Sequence, residues 1–156
     1  MKPFQVLERY WSGNLPMDPR ALAQAAGIRV ENRTELVESS RLMPDIPLIE
    51  LRAQDTALRQ RFATAHALGH YFLGHWTPGS GEPLVDTAQH YATGAKDARE
   101  QAANAFALEL LLPASLLRWI VQHEASLQLD TLAHRFQVSE VALHRRLREL
   151  SLLPAI

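Results

Sequence analysis

Two histidines, His66 and His70, stand four residues apart in the stretch RFATAHALGHYFLG, residues 61–74. The stretch reads as helix, and in a helix residues i and i+4 project from one face about one turn apart. Both imidazoles can therefore reach a single divalent metal ion. Phe62, Ala65, Leu68, Gly69 and Phe72 around them are apolar or small, which puts the rings in a dry setting where each needs a partner. One ion satisfies both rings at once; the plain alternative, two ordinary core histidines, needs a separate hydrogen-bond acceptor for each. The chain has no cysteine, so a tetrahedral ion would be completed by histidine or carboxylate. His75, Asp86, His90, Asp97 and Glu100 are the candidates downstream for a third ligand.

The spacing is that of the HExxH zinc-peptidase helix, in which the residue after the first histidine is a glutamate acting as general base. Here that residue is Ala67. A methyl group accepts no proton, and general acid–base catalysis contributes about 10² to 10⁴ in rate, so such a site binds metal and is close to inactive. Alanine is a strong helix former, so the fold tolerates it.

The elements that must position these residues can be read around them. Residues 3–12 suit a short amphipathic helix. Asp18 caps a second helix with Pro19 in its first position, ending at Gly27. Residues 28–32, 35–42 and 46–51 have the β-branched content and alternation of short strands, with Pro44-Asp45 as a turn. The expected sheet is small, three-stranded and mostly antiparallel. Asp55 or Thr56 then caps the His66 helix. Residues 77–93, rich in Gly, Pro and small polar side chains, read as a loop at the rim of a substrate cleft. From residue 96 to 112 the pattern is strongly helical, and Pro113 stops it. Three further helices follow. The expected class is α+β, a small sheet beside a helical core.

Two motifs in order, RQRFATAHALGHYFLGH and, some thirty residues on, EQAANAFALELLLP, resemble the ImmA/IrrE family of zinc metallopeptidases. There a sequence of the type RFTLAHELGH precedes ExxANxFAxxLLMP, whose first Glu is the third zinc ligand. The match covers residues 55–113 well and the N-terminal segment more loosely. The resemblance implies a zincin-type fold with His66, His70 and Glu100 holding Zn2+, and Ala67 in the place of the general base. It implies as partner a helix-turn-helix repressor of the Xre type, cleaved to release repressed genes in stress responses, mobile elements and phages. The intact surroundings favour a Glu→Ala change in an otherwise active enzyme over a natural pseudo-protease, a metal-dependent binding module. Asn104, one turn after Glu100, is a candidate support for the site, or a structural asparagine. Tyr71 and His90 are weaker catalytic candidates, as packed aromatic or transition-state donor and as surface or oxyanion-binding group. His75 shares the second choice.

Residues 129–150, LDTLAHRFQVSEVALHRRLREL, have the form of a helix-turn-helix with Ser139 capping its second helix. Arg145, Arg146 and Arg148 could meet phosphates, but Asp130, Glu140 and Glu149 nearly cancel them, so a DNA-binding regulator is the lesser reading. Closing the core or docking a protein substrate is the favoured use. A division into residues 1–125, a zincin-like domain, and 126–156, helices packed on the same unit, follows. The hydrophobic share of 47% and net charge of −1 fit an ordered globular chain rather than a disordered one. No run of apolar residues is long enough for a membrane span, and no N-terminal leader pattern is visible. A cytoplasmic protein is expected.

Overall fold

The computed structural model describes residues 1–91 and 97–153. Helices α1, Pro3–Tyr10, and α2, Pro19–Ala25, precede strands β1, Arg29–Arg33, β2, Ser40–Leu42, and β3, Leu48–Arg52. Then come α3, Ala57–Phe72, strand β4, Leu84–Asp86, and a 3-10 turn at Ala88–Tyr91. Helices α4, Ala98–Leu111, α5, Ala114–His123, α6, Leu129–Phe136, and α7, Glu140–Glu149, complete the chain.

Local chemistry sets the helix ends. The Asp18, Thr56, Asp97 and Ser139 side chains accept amide N–H groups in the first turns of α2, α3, α4 and α7, groups that have no partner within the helix. Gly74, at φ 78°, ends α3 in the left-handed conformation that costs glycine nothing. Every residue from Ala63 to His70 is buried, so α3 is enclosed on all sides rather than amphipathic. Its main neighbour is α4. They meet at Gly69, where an added Cβ would lie 3.1 Å from the Ala103 Cα and carbonyl oxygen and from the Phe106 Cβ. The missing side chain allows the backbones to approach, and that approach brings His66 and His70 to Glu100.

The α+β class is as expected, and the sheet differs from the expectation in two respects. It has four strands in the order β1-β3-β2-β4, and it is mixed: β1 runs parallel to β3, whereas β2 is antiparallel to both β3 and β4. The parallel pair arises because the β2–β3 hairpin folds so that β3 lies between β1 and β2, a long-range choice that local alternation does not encode. β4 lies within the stretch expected to be a loop; at three residues it is too short to stand out between glycines and prolines, and pairing with β2 makes it a strand. Residues 92–96, which include the ends of the expected loop and of the following helix, lie outside the described residues.

Helices α6 and α7 share the core of the rest. Leu132, Phe136, Leu143 and Leu147 are buried in the same cluster as Leu22, Leu68 and Phe106. Arg61 of α3 donates to the carbonyls of Met17, Phe136 and Gln137, tying the turn between α6 and α7 to the α3 helix. Arg146 is buried and donates through Nε to the Leu112 carbonyl, 3.0 Å away, satisfying a group left over at the C-terminus of α4. No single helix among the described residues is long and apolar enough to cross a membrane.

Candidate metal centre

His66 and His70 turn their Nε2 atoms toward each other, 3.0 Å apart, and toward two carboxylates. Glu100, from the first turn of α4, places Oε2 2.9 Å from His66 Nε2 and 3.4 Å from His70 Nε2. Asp86, at the end of β4, places Oδ1 3.4 Å from His66 Nε2 and Oδ2 3.4 Å from His70 Nε2. One donor atom from each of the four residues lies within 4.8 Å of all the others, and all four residues are buried. A tetrahedral zinc with bonds of about 2.0–2.2 Å sets its donors about 3.3–3.6 Å apart, so these separations fit such an ion after minor adjustment.

The orientation of the rings is held from behind. The Asn104 side-chain oxygen lies 2.8 Å from His66 Nδ1, and its amide nitrogen donates to the His90 carbonyl at 2.7 Å. Asn104 is thereby fixed as an acceptor toward His66, which puts the ring proton on Nδ1 and leaves Nε2 bare. His70 Nδ1 meets His75 Nδ1 at 2.9 Å. Two ring nitrogens and two carboxylates converging in a buried space need a cation or protons between them.

Without metal, protons play that part. Burial pushes both imidazoles toward the neutral form, but hydrogen bonds that the rings donate to Asp86 and Glu100 outweigh it: His66 is held above its ordinary value and His70 is raised to about 9. Burial works against the carboxylate charges too, yet the same contacts with the two rings hold Asp86 well below the usual range and lower Glu100. His75 is shifted down by burial and by the His70 charge.

Of the other candidates, Asp97 caps α4 at the surface, and His75 reaches the cluster through His70. His90 touches it through Asp86, 3.1 Å from Nδ1 to Oδ1, with its side chain 40% exposed. The Tyr71 ring packs on Phe72 and Trp76. Ala67 is buried in the apolar core. Sequence reasoning did not single out Tyr91, whose ring stands edge-on to His66 at 4.8 Å between centroids and whose hydroxyl is 3.2 Å from Ser40 Oγ; burial pushes its phenol above the ordinary value. Behind Tyr91 lies a cleft of about 490 Å3, lined among others by Arg59, Phe62, Leu108, Val141 and Arg145. Asp86 is one candidate among five; the only local signal for its strand is the apolar pair Leu84-Val85 before it, masked by the loop-like composition around it.

A buried His, His, Asp, Glu set that could hold a metal, carried by two abutting helices and a sheet strand, places this α+β domain in the metallopeptidase class. This chain belongs to the Peptidase M78 family, described as the IrrE N-terminal-like domain, whose profile matches residues 23–148. Among solved structures it is similar to a Mycobacterium tuberculosis transcriptional regulator, with a TM-score of 0.65 and 18% identity, over 93% of this chain and 44% of that one. That likeness is one of fold, and this chain spans less than half of the regulator's length. No curated protein matches the chain significantly.

Proposed function

We propose that this chain is a zinc-holding, non-cleaving member of its peptidase family that captures a protein partner, a helix-turn-helix repressor of the Xre type, in the cytoplasm. The observation that carries the reading is the donor cluster around His66, His70 and Glu100, complete and supported by Asn104, beside a position 67 that holds only a methyl group. Zinc held there would supply Lewis acidity only to a water or peptide carbonyl that reached it. The chain's own residues would hold the ion and fix the rings, but none at position 67 moves a proton. Binding without cutting is the expected result.

A protein partner is supported by the cleft beside Tyr91, to which Val138, Ser139, Val141, Ala142 and Arg145 of the C-terminal helix pair contribute. Val141 is 77% exposed there, an apolar side chain suited to a partner's surface. The likeness to a transcriptional regulator supports a regulatory setting. DNA contact is the weaker reading, since Arg146 is buried on Leu112 and Arg145 is paired with Glu149.

The test has two arms. Elemental analysis of the purified chain should find about one zinc per chain, lost in His70→Ala. Mixing the zinc-loaded chain with a purified Xre-type repressor should give a co-eluting complex whose repressor stays full length on prolonged incubation. Repressor fragments produced by the parent chain, a failure to form the complex, or a chain that takes up no zinc would each overturn the proposal.

A further inference from the structure

We infer that Asp86 is a fourth metal donor, which closes the coordination sphere that zinc hydrolases leave open. The inference rests on the metal-holding reading above and goes further, because it assigns a structural rather than a catalytic kind of site.

Distance is the first argument. Asp86 presents one oxygen to each ring nitrogen at 3.4 Å, the separation at which Glu100 stands from His70. A carboxylate that only relayed protons to a water in the site would stand a layer farther out than the donors. Asp86 stands among them. Rigidity is the second. Asp86 is set by the β2–β4 register opposite Ser40, its side chain is 2% exposed, and His90 holds Oδ1 from behind. Charge is the third: two carboxylates balance a divalent cation, and a buried ion is tolerated when it is paired in this way.

Four protein donors mark structural zinc sites, whereas catalytic sites have three and an open position. With Asp86 in place and alanine at position 67, the chain lacks both the open position and the base. The metal then braces α3, α4 and β4 and fixes Tyr91, and with it one wall of the cleft.

Cobalt(II) titrated into the metal-free full-length chain reads this directly, because its visible absorption reports coordination and an added anion such as azide enters only an open position. The parent should show the intense bands of a tetrahedral ion, unchanged by azide. Asp86→Asn, which keeps the shape, should bind cobalt more weakly by about tenfold or more, the order seen when even an outer partner of a ligand is lost, and should respond to azide. A parent spectrum that shifts with azide, or an Asp86→Asn chain that matches the parent in affinity and in azide silence, overturns the role of Asp86 and leaves the metal-holding reading intact. A parent that takes up no cobalt overturns both. The parent's azide response needs no variant, so a poorly folded Asp86→Asn does not rescue the idea.

Discussion

In the closed site proposed above, Ala67 and Asp86 together decide what chemistry is open to the chain. Restoring the general base alone should not restore hydrolysis, because the fourth position stays filled. Ala67→Glu should therefore show no repressor cleavage above the parent, whereas Ala67→Glu combined with Asp86→Ala, which supplies a proton acceptor worth about 10² to 10⁴ in rate and opens a coordination position, should yield detectable fragments on a denaturing gel. Equal cleavage by the single and double variants would count against the closed site. Protons also compete with metal here. In the metal-free chain His70 is raised from 6.5 to about 9 by Asp86 and Glu100, against the effect of burial. A group whose folded value is raised contributes stability that is fully present below about 6.5 and fades as pH climbs through about 9. Metal needs the unprotonated ring, so apparent zinc affinity should strengthen as pH rises from about 6.5 to about 9, with proton release visible in calorimetry; a flat profile would contradict it.

Among the elements, the contact between α3 and α4 matters most, since it joins the two-histidine helix to Glu100 and Asn104. Its closest point is Gly69, whose φ is helical, so an alanine there is penalised by space alone. With backbone and the Phe106 Cβ at 3.1 Å from the new methyl, Gly69→Ala should cost about 1–3 kcal/mol as overpacking, despite alanine's better helix propensity. The urea midpoint should fall, and zinc affinity with it. The helices of this region were legible in the sequence because apolar periodicity, caps and glycines are local signals. β4 was not legible: a three-residue strand owes its existence to β2, which is distant in sequence, and the parallel pairing of β1 with β3 depends equally on partners that no local pattern names.

For the molecule as a whole, the C-terminal helix pair shares in the core, and its buried Arg146 is bound to the Leu112 carbonyl rather than turned outward. Arg146→Ala removes a charge-assisted hydrogen bond to the Leu112 carbonyl, worth about 1.5–3 kcal/mol, and should lower stability toward urea by that order; a variant as stable as the parent would show that the buried arginine carries no weight. The candidate donor cluster joins elements from three parts of the chain, so zinc held there should stabilise the global fold. At a free concentration about a thousandfold above Kd the gain is about 4 kcal/mol, visible as a rise in Tm that chelator reverses and His70→Ala abolishes.

The sequence by itself determined the helix carrying His66 and His70, the absence of a general base at position 67, the second helix with Glu100 and Asn104, and the α+β class, because each is written in local spacing and in two motifs of fixed order. Only the tertiary structure decided that Asp86 meets the histidines, that Tyr91 walls the site from the cleft, and that Arg146 is spent on the Leu112 carbonyl. These depend on contacts between residues far apart in the chain. Such contacts form only when helices and strands pack, and nothing in the neighbourhood of each residue announces them.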